Sequence, residues 1–416
     1  MGYAGYAAAF VMSKSSGATI VGLDIGTTKT CAVVATSTPA GLDIIGVGEA
    51  PSTGMRKGVI TDLEETVRAI EAATEKAERM AGVHISHVYV GVTGEHVQST
   101  NNRGVVAISG DDREVVRGDV RRVVEASKLI DVGADRQIIH ALPRRFTVDG
   151  HDGVADPIGM SGSRLEVDTH IITGGNTFIT NVLKCVHRAG LEPAGLVFEP
   201  LASSAATLLA EEKHVGVLLL DIGGGTTDVA VYAGGGAVHT STIPVGGNIL
   251  TSDIAIGLKT TLAEAENVKC TIASAGSVDG AEFTVKTLDG RTSPPVTRAQ
   301  LRSIVAPRLL EIFRLTKAQL AAQLPRDVIL AEVVLTGGGA NLQGIERAAA
   351  EFFGMPARLG VPTAIGGLTD AVKQPEYATA VGLVLFGPKG DGATWHNGAS
   401  RTFFGRVATW FGDLWN

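Results

Sequence analysis

Short apolar runs that stop at an acid and a glycine turn punctuate this chain, and one such pattern is written twice. VGLDIGTTKT at 21–30 and LDIGGGTTDV at 220–229 each carry a hydrophobic run to an aspartate, Asp24 or Asp221. A turn of Gly and Thr follows, then a second β-branched run, CAVVAT or DVAVY. The pattern predicts a strand, a tight turn and a returning strand in each place. VVLTGGGANLQGI at 333–345 adds a third strand running into a glycine turn, this one followed by a helix start. Helical periodicity appears between these points. A helix is predicted to begin at Thr61-Asp62, with Glu64 and Glu65 in its first turn, and to run to Ala81 before Gly82 stops it.

The block 83–165 opens with the strand-rich HVYVGVTGEHVQSTNNRGVVAIS. A helix at about 112–130 and a strand pair, QIIHALPRRFTVDG, follow. A compact unit of this size suits a subdomain inserted into a first lobe. RLEVDTHIITG at 164–174 is expected to return the chain to a core strand of that lobe, ahead of a helix at 176–189. FEPLASSAATLLA at 198–210 and EYATAVGLVLF at 376–386 read as connecting helices. A second lobe holds Gly246 and Gly247 before a helix N-terminus, a helix at 262–270 with Glu266 and Lys269 on one face, and a helix at 297–323 capped by Thr297. The stretch 271–296 is loop-rich.

After Phe386 the pattern breaks. GPKGDGATWHNGAS at 387–400 has the composition of a flexible linker. In RTFFGRVATWFGDLWN, at 401–416, helical spacing puts Phe403, Phe404, Val407, Trp410, Phe411, Leu414 and Trp415 on one face. Arg406, Thr409 and Asp413 fall on the other. The segment is too short to span a bilayer, and its aromatic face suits a membrane interface.

The length of 416 residues calls for two or more cores. A net charge of −7 argues against nucleic acid as a partner. Cys31, Cys185 and Cys270 lie far apart in apolar or helical stretches, which suits reduced core thiols better than a disulfide or zinc framework. His84 and His87 have no third ligand near in sequence, so a metal reading is set aside. Residues 1–16 form an extension with no assigned function.

The chemistry follows from the turns. Gly26 and Gly223 to Gly225 let backbone N–H groups approach a ligand, and Thr27, Thr28 and Thr226 add hydroxyls. Two such hairpins facing each other would grip a polyphosphate. Asp24 and Asp221 at the strand ends would hold Mg²⁺ through water, because that cation keeps part of its hydration shell.

The order of the three turns and two connecting helices resembles the actin, Hsp70 and sugar-kinase superfamily, whose fold is α/β, two-lobed and ATP-binding. Within it, DPIGMSGSRLEVDTHIITG at 156–174, GVITDLEETVRAI at 58–70 and the terminal linker with its helix are similar to the FtsA family of bacterial cell-division proteins. The resemblance covers 17–386 and the terminal helix. It implies an actin-like ATPase fold with an inserted 1C-type subdomain and a C-terminal amphipathic helix. The implied divisions are 17–82 with 166–192 (1A), 83–165 (1C), 193–244 with 327–386 (2A) and 245–326 (2B).

For the site, the resemblance implies that Asp24, Gly26, Thr27, Thr28 and Lys29 form the first phosphate motif, and Asp221, Gly223, Gly224, Gly225 and Thr226 the second. Gly337, Gly338, Gly339 and Asn341 would hold adenosine, and Glu266 with Lys269 the ribose and base. Glu199 stands where relatives orient a water; a plain role at a helix start before Pro200 is the alternative. ATP and Mg²⁺ are the implied cofactors, with hydrolysis feeble at most. The implied partners are the FtsZ tail (through 2B), further copies of the chain in a filament, an anionic membrane surface and later division proteins. The implied place is the cytoplasmic face of the cell membrane at the division site. A sugar kinase, an Hsp70-type chaperone, an MreB-like filament and a PilM-like pilus scaffold are the rival readings.

Overall fold

The computed structural model describes residues 18–386 apart from 40, 110–111, 275–281, 327 and 364. The expected extension, the linker at 387–400 and the amphipathic helix with its seven apolar residues lie outside the described residues.

The repeated motif becomes a repeated three-stranded unit. Thr19–Ile25, Lys29–Thr38 and Gly41–Pro51 form one antiparallel meander, and Val217–Ile222, Thr227–Ala233 and Gly236–Ile243 form the other. In the first lobe, His87–Val92 and Glu192–Phe198 extend the sheet in parallel on one side, and Gly366–Gly367 closes the other. In the second lobe, Glu332–Thr336 and Ala357–Leu359 extend it in parallel. The central strands of both sheets are covered on both faces, so they read as continuous apolar runs; all six residues of Val217–Ile222 are buried.

Helix Leu63–Ala81 covers one face of the first sheet with Val67, Ile70, Ala73 and Ala77. Its N-cap is Asp62, whose carboxylate accepts from the Glu65 amide at 3.0 Å, and Gly82 ends it in the left-handed region at φ 67°. Helix Arg298–Gln323 covers the second sheet with Ile312, Phe313 and Leu320, and Thr297 and Gln300 form its capping box. The connecting helices Glu199–Thr207 and Ala378–Phe386 pack on each other between the lobes. Above the second sheet, Gly247–Leu258, Leu262–Ser274 and the start of the 298–323 helix share a small core of Ile254, Val268 and Leu301.

The inserted unit is a separate antiparallel sheet in the order Gln98–Ala107, Arg164–Gly175, Arg136–Val148, His151–Val154. Helix Arg117–Ser127 packs Val120 and Val123 on Phe146, Leu165 and Val167. Three expectations change here. RLEVDTHIITG does not return to the first lobe; it is an inner strand of the insert, in register from Arg164 opposite Ala107 to Thr173 opposite Gln98. HVYVGV does not open the insert; it pairs in parallel with the first strand of the first lobe, Gly22 opposite Tyr89. The helix expected at 112–130 is confined to 117–127, because the Asp119 carboxylate accepts from the Val116 amide and starts it late.

Candidate functional site

The three glycine turns open on one cleft of about 640 Å³ between the lobes. The first two turns are built alike. The Gly26 amide donates to the Lys29 carbonyl at 3.0 Å, and the Gly223 amide to the Thr226 carbonyl at 2.9 Å. They also meet: a Cβ on Gly225 would stand 2.6 Å from Thr27 Oγ1, and one on Gly224 would run into Thr28 Oγ1. Only glycine permits that approach, which is why the two turns can enclose one ligand. The Gly247 and Asn248 amides donate to the Gly223 and Gly224 carbonyls, each at 2.8 Å, so the start of the following helix supports the second turn while it lines the cleft.

Every residue singled out for the site lines this cleft: Asp24, Gly26 to Lys29, Glu199, Asp221, Gly223 to Thr226, Glu266, Lys269, Gly337 to Gly339 and Asn341. Lys29 sits in an ion pair of 2.5 Å with Glu49, its ammonium 4.0 Å from the centre of the Tyr377 ring. Glu266 and Lys269 are paired at 2.7 Å. Burial would raise the Glu266 carboxyl, but bonds from Lys269 and Thr251 outweigh it and hold the group below its usual range. Asn341 donates to Glu376 at 2.7 Å.

Four acids are buried together at the floor. Burial pushes Asp24 up to about 7, with Lys29 opposing and Asp221 adding. Asp228 also reaches about 7 by burial and the nearby Asp221, against bonds from Thr242 and Thr93. Burial raises Asp221 despite hydrogen bonds from Ser203 and Thr379. Glu199 is held well above its ordinary value by burial and then by Asp24 and Asp228. Glu199 is the first residue of its helix, with Phe198 in the cap position, so it does not cap. Its carboxyl lies over Gly91, where a Cβ would be 3.1 Å from Oε1. So much uncompensated acid beside two glycine turns suits a hydrated divalent cation next to a polyphosphate. Among the described residues, no group of three or more His, Cys, Asp or Glu could hold a metal unaided. The groups at hand are carboxylate oxygens, which suit a cation that keeps water and takes ligand oxygens.

Several cleft residues escaped the sequence reading: Glu49, Thr93, Asp228, Asn248, Glu376, Tyr377 and Thr379. One had a signal. Asp228 follows the second Thr pair as Lys29 follows the first, so the repeat itself points to both. Cys270, expected in a core, is exposed at the cleft rim, whereas Cys31 and Cys185 are buried. His84 is paired with Glu78 at 2.7 Å.

Two meander-based lobes, connecting helices crossed between them and glycine turns around the cleft define an actin-like fold. Solved structures agree. A chain of the PilM–PilN type IV pilus biogenesis complex aligns with a TM-score of 0.64 at 18% identity, covering 88% of this chain and 97% of that one. MreB5 of Spiroplasma citri bound to ADP aligns at 0.50 and 16% identity, covering 88% and 94%. The profile of the cell division protein FtsA matches residues 218–382, and that of the SHS2 domain inserted in FTSA matches 94–173. Cell division protein FtsA of Pseudomonas aeruginosa is 42% identical over 379 residues, 90% of each chain. That of Escherichia coli is 39% identical over 379 residues, 88% of this chain and 90% of its own. The chain belongs to the FtsA family of cell-division proteins.

Proposed function

We propose that this chain binds ATP with Mg²⁺ in the interlobe cleft, assembles into actin-like filaments and tethers FtsZ to the inner face of the cytoplasmic membrane at the division site. The observation that carries the nucleotide part is the convergence of three glycine turns and the Glu266–Lys269 pair on one cleft. The two Thr-bearing turns and Lys29 would take the phosphates; Gly337 to Gly339 and Asn341 would take the adenosine. Asp24 and Asp221 would hold the hydrated Mg²⁺, whose charge offsets that of the phosphates. Glu199, whose carboxyl burial and the neighbouring Asp24 and Asp228 hold well above its ordinary value, would orient a water beside the phosphates, with hydrolysis weak at most.

Tethering rests on the 401–416 pattern and on family membership. No described helix is long and apolar enough to cross a membrane. One short amphipathic helix binds a bilayer weakly, and a filament multiplies that binding through many copies. The upper part of the second lobe exposes Ile256 and Leu288 beside one another, an apolar spot suited to the FtsZ tail. The test is co-sedimentation with anionic liposomes and ATP, comparing the full chain with one ending at Gly387, each with and without FtsZ. Pelleting of the full chain alone, with FtsZ, is expected. Equal behaviour of the two chains would remove the tether.

A further inference from the structure

The insert belongs by connectivity to the first lobe, yet its side chains are bonded to the second. The contacts follow one strand, Gly236–Ile243, the edge of the second-lobe sheet. At Thr242, the hydroxyls of Thr93 and Thr242 both donate to Asp228 Oδ1, at 2.5 and 2.6 Å. At Thr240, the carbonyl accepts from Ser99 Oγ at 2.7 Å and the hydroxyl meets His170 Nε2 at 3.0 Å. At Val238, the carbonyl accepts from Asn101 Nδ2 at 3.0 Å. Three alternate residues of one strand are thus held by the insert and its root. The insert's own edge strand, Gln98–Ala107, forms no backbone ladder with this strand; it is side chains of the insert that reach the strand's carbonyls and hydroxyls.

The lowest rung is part of the cleft, since both Thr93 and Asp228 line it. The root of the insert is also there. Gly94 has φ +125°, a conformation suited to a glycine pivot, and its Cα lies 3.2 Å from where a Gly58 Cβ would be. The Gly58 amide in turn donates to Thr27 Oγ1 in the first turn at 3.3 Å. The pivot of the insert is therefore linked through Gly58 to the first glycine turn. Buried polar contacts of this kind hold their partners in register, so a shift of the strand is felt by the side chains bonded to it.

We propose that this three-rung contact transmits nucleotide occupancy to the insert: closure of the lobes on ATP and Mg²⁺ shifts Asp228 and the 236–243 strand against Thr93, and the insert turns about Gly94. The inference rests on the nucleotide reading of the cleft. Its test uses the full chain with Leu129 on the insert and Leu209 on the second lobe, both exposed, each replaced by a spin-labelled keto amino acid. Interspin distances are recorded with and without ATP·Mg²⁺, beside the affinity for a fluorescent ATP analogue. In the otherwise unaltered protein, ATP should shift the distance. In the Ser99→Ala/Asn101→Ala variant the distribution should broaden and lose the shift, with affinity held within about twofold because those residues lie outside the cleft. ATP binding without any shift, or an equal shift in the variant, would overturn the proposal and leave the nucleotide reading standing. Absence of ATP binding would sink the nucleotide reading and with it the nucleotide control. The rungs would then be judged by the two nucleotide-free widths, equal widths refuting them.

Discussion

Two residues at matching places in the repeat carry opposite charge, and their environments differ accordingly. Lys29 is neutralised by Glu49, whereas Asp228 is buried against hydroxyls with other acids nearby. Because Asp228 is raised to about 7 in the folded protein, the folded state keeps a proton between about pH 4 and 7 that the unfolded chain gives up. Stability contributed by this group therefore falls as pH rises through that window. Buried histidines act the other way: His170 and His140, pushed down to about 3 and about 4 by burial, cost stability as pH drops below about 6.5. The whole-protein curve mixes the two. The difference between the parent and Asp228→Asn isolates the acid: urea unfolding should show the variant gaining relative stability from pH 4 to 7. A flat difference would mean that Asp228 ionises as freely in the fold as outside it. Nothing local in the sequence announces this burial, since an acid opening a strand is ordinary until its neighbours are known.

At the scale of elements, the glycine turns and capped helices were legible because their chemistry is local. Asp62 and Gly82 bound a helix in the sequence and in the structure alike. Strand partnership was not legible. HVYVGV and RLEVDTHIITG are both β-branched runs, and which sheet each joins depends on residues far away in the chain. The close meeting of the two turns was likewise invisible, although each turn alone was plain. It yields a direct prediction. In Gly225→Ala the new methyl would press on Thr27 Oγ1 at 2.6 Å and Lys57 Cα at 3.0 Å, forcing the turns apart. Binding of ATP, measured by titration with a fluorescent analogue, should weaken by at least about tenfold, the equivalent of ~1.4 kcal/mol. The melting temperature without nucleotide should move far less. Unchanged affinity would mean that the turns do not jointly hold the phosphates.

For the molecule as a whole, the actin-like architecture and the inserted sheet follow from the repeat, the connecting helices and the family relation. The residues proposed to meet the membrane stand beyond Phe386, in 401–416. Placing a charge on their apolar face, as in Trp410→Glu, should abolish liposome pelleting while ATP binding persists. Retained pelleting would move the anchor elsewhere. The last described helix, Ala378–Phe386, also decides how such an anchor would be felt. It lies on the first-lobe strands Thr19–Ile25 and His87–Val92, and Phe386 sets its ring edge-on to His140 of the insert. Tension drawn through the chain beyond residue 386 would thus enter the first lobe and the base of the insert. Through the Thr379 hydroxyl, which donates to Asp221 at 3.0 Å, part of that pull would also reach the floor of the cleft, like a cord tied to both jaw and handle.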